Sequence, residues 1–187
     1  MNGYDIFAIM EEIAPKALAC DWDHVGIMAG NPLQEISGIM LCLDLTPAVL
    51  EEAVSENCNM IITHHPLIFN PLTTLSEETP RGRFLCDVIR ENILVFSAHT
   101  NLDYCEGGVN DSLLKQLGVS ESVCDETGQH RFGDLPEMMT VREFASHVND
   151  KLAAEGVRGI FVVFVNNFSA FFIDKQYIFI FIDNIYL

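Results

Sequence analysis

Cations are scarce in this 187-residue chain. Only 10 Lys+Arg stand against 27 Asp+Glu, a formal net charge of −17. A nucleic-acid binder needs clustered cations to displace counterions from phosphates, so the charge balance argues against a nucleic-acid partner. It argues equally against adsorption to an anionic membrane. The six cysteines, Cys20, Cys42, Cys58, Cys86, Cys105 and Cys124, include no Cys-x-x-Cys pair, which removes zinc-ribbon and thioredoxin-like chemistry. Several fall inside apolar runs and read as small buried hydrophobes. Gly-x-Gly-x-x-Gly, Walker A and Gly-x-Ser-x-Gly patterns are all missing, so nucleotide loops and a hydrolase elbow of those types are excluded. The N-terminal MNGYDIFAIMEEIAP has neither a basic leader nor a small-residue cleavage site. A reduced, cytoplasmic protein is expected.

Hydrophobic residues make up 49% of the chain and charged residues 20%, a globular balance. The length suits one domain, or one and part of a second. Ile6, Phe7, Ile9, Met10 and Ile13 mark the apolar face of a helix over 4–19, interrupted or ended by Pro15. An extended piece follows, with Gly26 and Gly30 as punctuation. The run 38–45 then predicts a buried strand. Thr46-Pro47 supplies an N-cap and a first-turn proline for a helix to Glu56, and 59–63 predicts a second strand. The pattern repeats with a helix opened by Thr79-Pro80 and a strand over 93–98. A helix over 109–117 follows, with Gly118 as its left-handed stop. This predicts a three-layer α/β fold, its mostly parallel sheet flanked by helices, plus the start of a second α/β domain. The turn-rich stretch 125–139 sets the expected boundary, giving domains over 1–125 and 126–187. Thr140 and Glu143 form a capping box for a helix to about Glu155, with Gly156 beyond it. From about Ile160 the composition changes: seven of the 13 Phe lie in 161–181. Asn166-Asn167 and Asp174-Lys175 interrupt that tail, so strands are expected there rather than a membrane span.

Two polar clusters carry the chemistry. Thr63-His64-His65-Pro66 directly follows one predicted strand, and Ala98-His99-Thr100-Asn101-Leu102-Asp103 follows another. In a parallel sheet the carboxyl ends of strands share one edge, where ligands bind. Three imidazoles and a carboxylate therefore converge from two loops. That donor set suits Zn, Fe, Mn or Co and needs no thiolate. Consecutive histidines on a regular strand point to opposite faces, so one shared site requires the chain to leave the strand at His64-His65. Pro66 supports such an ending. The two histidines could then serve two neighbouring ions, with Asp103 near enough to bridge or join them. Asp21-Trp22-Asp23-His24 reads either as a packed tryptophan among solvated acids or as a lip of the same cleft. Asp44 ends a strand and reads either as a turn residue before a helix or as a residue lining the crevice. His130 is expected to be solvated, His147 structural, and Gly107-Gly108 part of a simple loop.

Three blocks carry a family likeness: Trp22-Asp23-His24-Val25-Gly26, Ile62 to Phe69, and Ser97 to Asp103. A weaker stretch, Gly133-Asp134-Leu135-Pro136 with Met139-Thr140 and a helix, also fits. In these blocks the chain resembles the GTP cyclohydrolase 1 type 2 homologs, Ngg-interacting-factor-like proteins with dinuclear metal sites. The likeness covers roughly residues 1–158. It implies two α/β domains, a toroidal homohexamer, and two divalent ions (Zn, Fe or Mn) per subunit. His64, His65 and Asp103 are the implied ligands, with His99 a ligand or its support. The resemblance also implies a late histidine and glutamate at the metal site, and no histidine follows His147. The Phe/Ile-rich tail departs from the family pattern and is expected to come from a truncated or frame-shifted reading frame, leaving room for fewer than two ions. The implied activity is a metal-dependent hydrolase, with metal-activated water attacking a nucleotide-like or phosphoester small molecule. The alternative is a non-catalytic metal-binding interaction or assembly protein.

Overall fold

The computed structural model describes residues 1–119, 122–135, 137, 139–153, 159–161, 170–174 and 177–181. The chain divides into two compact units, Met1–Cys105 and Glu106–Leu187.

The first unit opens with α1 (Gly3–Ile13), capped by Asn2 in a reciprocal box with Asp5. Beyond Pro15 only a 3-10 turn, Lys16–Leu18, remains of the helix expected as far as 19. The strand β1 (Gly26–Ala29) follows, then β2 (Ile39–Cys42), α2 (Pro47–Ser55), β3 (Met60–Thr63), α3 (Pro80–Arg90) and β4 (Leu94–Ser97). Thr46 and Thr79 each accept a hydrogen bond from a first-turn amide, with proline at the helix start, so both crossover helices begin where the sequence marks them.

The sheet order is β1-β4-β3-β2. Strands β2, β3 and β4 are parallel and in register, with Thr63 opposite both Cys42 and Ser97. Strand β1 is antiparallel to β4 at the edge and shifts register between Ile27 and Ala29. Helices α2 and α3 cover one face, where Leu50, Ala53, Leu85 and Val88 pack on Ile61 and Val95. Both crossovers lie on one face because each βαβ unit turns with the same hand. Helix α1 covers the other face, where Ile6 packs on Met60 and Leu94. The expected three-layer, mostly parallel α/β fold is present. The short helix α4 (Thr100–Tyr104) completes this unit.

Gly30 sits at φ +94°, and a Cβ there would lie 2.5 Å from the Ile93 carbonyl oxygen and 2.7 Å from the Leu94 Cα. Both neighbours are backbone, so neither can turn aside. Gly30→Ala is expected to lower unfolding free energy by about 2–4 kcal/mol, combining left-handed strain with overpacking. The measurement is the urea midpoint at unchanged m-value.

The second unit holds α5 (Val109–Gln116), the hairpin β5 (Val123–Cys124) and β6 (Arg131–Phe132), and α6 (Val141–Leu152). Gly118 takes φ +93° after α5, as its stop position requires. Helix α5 lies against β6, and both belong to this second unit. Leu117, Phe144 and Val148 form a small core. The capping box of Thr140 and Glu143 is present, but α6 stops at Leu152, with Ala153 left-handed. Gly156 lies outside the described residues. The tail contains β7 (Gly159–Phe161), β8 (Ala170–Asp174) and β9 (Tyr177–Phe181), in the order β7-β9-β8. Among the described residues no helix is long and apolar enough to cross a membrane.

Candidate metal centre

The carboxyl ends of β3 and β4 deliver the histidines to one place. The chain bends at His64 and His65, as a shared site requires. The His64 N–H still donates to the Cys42 carbonyl at 3.0 Å and the His65 N–H to Leu43 at 2.9 Å, so the bend is anchored to the sheet. The His64 and His65 ring centroids lie 5.2 Å apart. His99, two residues beyond the end of β4 at Ser97, brings its ring to 5.1 Å from His64 and 5.7 Å from His65.

One ligand-type nitrogen from each of these three histidines lies within 4.8 Å of the others. Metal–nitrogen bonds of ~2.1 Å hold two ligands of one ion at most ~4.2 Å apart. The cluster is therefore close to the size of a single-ion cage, and its upper span also suits two ions ~3.5–4 Å apart.

Each histidine has a different environment. His64 is buried, and neither of its ring nitrogens has a hydrogen-bond partner among the described residues. Its Nε2 stands 3.6 Å from the Asp103 Oδ1, beyond hydrogen-bond range. Asp103 itself is buried on α4, one turn after His99. His65 Nδ1 is 2.8 Å from Asp44 Oδ1, and both side chains are substantially exposed. His99 Nδ1 is 2.9 Å from Asp23 Oδ1. In both of these pairs a carboxylate holds Nδ1–H, which fixes the tautomer and leaves Nε2 with its lone pair. The donor set and its outer carboxylates fit a divalent cation.

Asp23 is the keystone of the second loop. Its side chain is fully shielded from solvent. Besides His99 it accepts from the Thr100 N–H at 3.0 Å and the Thr100 hydroxyl at 2.5 Å. Burial alone would push its pKa up, but the hydrogen bonds from His99 and Thr100 outweigh that and hold the carboxyl below its ordinary range. Thr100 Oγ1 accepts in turn from the Cys20 N–H, and Asn101 reaches back to the Ala14 carbonyl at 2.7 Å.

The structure thus brings His64, His65 and His99 together and sets Asp103 beside His64. Two residues were undervalued in the sequence. Asp44 supports His65 rather than only ending a strand. The Asp23 side chain is shielded from solvent while Trp22 is 59% exposed, so the tryptophan is not packed and one of the two acids is not solvated. The remaining candidates have partners within their own unit. His130 pairs with Asp125 in the β5–β6 hairpin, His147 Nε2 bonds the Leu117 carbonyl, and the Gly107 N–H is taken by Asp111. Of the cysteines, Cys105 is buried, Cys124 is exposed, and Cys20, Cys42, Cys58 and Cys86 are half-buried. A cavity of about 610 Å³ between α2 and α3 touches none of the site residues, so cavity size does not locate the chemistry.

The family model described as Duf34/NIF3 (NGG1p interacting factor 3) matches residues 1–163. The chain belongs to the DUF34/NIF3 family. A GTP cyclohydrolase 1 type 2 homolog of Clostridium acetobutylicum is 36% identical over 162 residues, covering 82% of this chain and 60% of the relative. One of Listeria innocua is 38% identical over 125 residues, covering 67% and 34%. Among solved structures, a Bacillus cereus protein related to NIF3 aligns with a TM-score of 0.64 at 36% identity, covering 66% of this chain and 34% of that one. A Staphylococcus aureus protein aligns at 0.78 and 26% identity, covering 84% and 66%. This DUF34/NIF3 chain therefore spans 60% of the Clostridium relative's length and 34% of the Listeria relative's.

Proposed function

We propose that this DUF34/NIF3 chain is the metal-binding part of a divalent-metal-dependent hydrolase, with His64, His65, His99 and Asp103 as ligands. One observation carries the reading. A buried imidazole with both nitrogens unbonded is costly, at about 1–3 kcal/mol for each unsatisfied group, and His64 sits in that state between two other histidines and a buried carboxylate. A bound cation removes that cost.

Zn, Fe or Mn bound here would supply Lewis acidity, lowering the pKa of water and polarising a substrate oxygen. The chain's own residues supply position. Asp23 and Asp44 orient His99 and His65, and Asp103 adds negative charge beside His64. The substrate class follows from the relatives' name, GTP cyclohydrolase 1 type 2 homolog: a nucleotide-like or phosphoester small molecule. The reading includes one or two ions per subunit, a homohexameric assembly and a cytoplasmic setting, each taken from the family resemblance. Light scattering on the full chain checks the assembly, and a monomer rejects it.

Protein purified without chelator is expected to carry about one to two equivalents of divalent metal by elemental analysis. His64→Ala is expected to fall below ~0.2 equivalents, because a ligand-defined site loses its deepest donor. Less than that in the wild type, unchanged in the variant, rejects the metal centre. Metal bound without Mn- or Zn-dependent turnover of GTP or a phosphoester favours the non-catalytic alternative.

A further inference from the structure

We propose that Trp22 and Phe69 form a stacking subsite that holds a planar heteroaromatic ring against the histidine cluster. This deepens the reading above and rests on it for the ring's purpose.

Trp22 is 59% exposed and Phe69 41% exposed. Large aromatic side chains gain stability from burial, and leaving two of them open beside a buried polar cluster forgoes it. The local chain geometry explains their position. Asp23 turns inward to His99 and Thr100, and its neighbours in the segment, Trp22 and His24, both remain exposed. Leu67 is buried after the His64-His65 bend, and two residues on Phe69 is exposed.

The rings then meet from two loops. Trp22 and Phe69 centroids are 6.1 Å apart with planes tilted by 56°. Trp22 stands edge-to-face with His99 at 6.4 Å and 75°. His24 stands the same way to Phe69 at 6.1 Å and 71°. A tilted, open pair offers π faces to a flat ring and ties it to a ligand histidine. The patch is too small for a protein partner. Two aromatic side chains present at most ~500 Å², whereas a stable protein interface needs ~800 Å² from each side. A cavity of about 270 Å³ lined by Lys16, Asp23, His24 and Ile68 adjoins the patch through His24, whose ring stands against Phe69.

Trp22 is the single tryptophan of the chain, so its fluorescence reports this position alone. The experiment titrates the zinc-loaded full chain with guanosine, and with ribose as the ring-free control, correcting for absorbance. Saturable quenching by guanosine and none by ribose is expected. Phe69→Leu should weaken guanosine binding about tenfold, the loss of one ring–base stack, while Phe69→Tyr restores it and zinc content stays constant in both. Absence of saturable quenching, or equal affinity in Phe69→Leu, overturns the subsite. Zinc content of the same samples separates the two readings. Loaded protein that ignores guanosine rejects the subsite and leaves the metal centre. If no zinc is taken up, the metal centre fails, and the metal-free titration still decides the subsite by the same criteria.

Discussion

Asp23→Ala is expected to weaken metal binding by about ten- to a hundred-fold, although Asp23 is not among the proposed ligands. The carboxylate holds His99 Nδ1 at 2.9 Å and so sets which nitrogen faces the cluster. Without it the imidazole can rotate or change tautomer, and one of three histidines is lost as a fixed donor. The same substitution strips the Thr100 N–H and hydroxyl of their acceptor in a buried place. Stability should therefore fall by about 2–4 kcal/mol, because buried donors left unpaired cost more than the bond itself returned. Asp44→Ala is the internal control. Its pair with His65, at 2.8 Å, is as short as the 2.9 Å Asp23–His99 pair but is open to water. Exposed pairs contribute ~0–1 kcal/mol, so that variant should keep its urea midpoint and most of its affinity. Competition with a chelating dye measures affinity, and denaturant unfolding measures stability. Equal effects of the two substitutions would mean that burial of the Asp23–His99 pair has no bearing on the site.

That contrast also marks how far the sequence was legible. Thr46-Pro47 and Thr79-Pro80 announce the crossover helices because cap chemistry is local. Once β2, β3 and β4 are known to be parallel, the histidines after Thr63 and Ser97 must share an edge, since those two residues pair in register. The Oγ atoms of Thr63 and Ser97 lie 2.7 Å apart under the cluster, a contact that follows from the same register. What escaped was set by contacts between distant segments. Asp23 meets His99 across 76 positions, and nothing in the spelling Asp-Trp-Asp-His says which acid turns inward. Strand β1 has four residues, opening on Gly26 and followed by Gly30, too few for periodicity to fix its direction. Helix α4 has five, and its first residues also spell a strand end.

His64→Leu is expected to change stability in opposite directions depending on metal. In the metal-free chain it should stabilise, by about 1–3 kcal/mol, because leucine fills a similar volume and removes two buried nitrogens that lack partners. Asp103 loses an ion-pair partner at 3.6 Å, which offsets part of that gain and sets it toward the lower end of the range. In excess zinc the order reverses. A cation held by the native fold and not by the unfolded chain adds about 2.7 kcal/mol at a hundred times its dissociation constant. The wild type gains this and the variant does not. Thermal unfolding of both proteins, with chelator and with zinc, measures the crossing. A structural histidine would behave otherwise, since leucine there would destabilise under both conditions or leave both unchanged. The crossing is specific to a residue kept at a cost to the empty fold for the sake of what it binds. Packing favours an apolar side chain at this depth, and only an occupant of the cluster gives the imidazole an advantage.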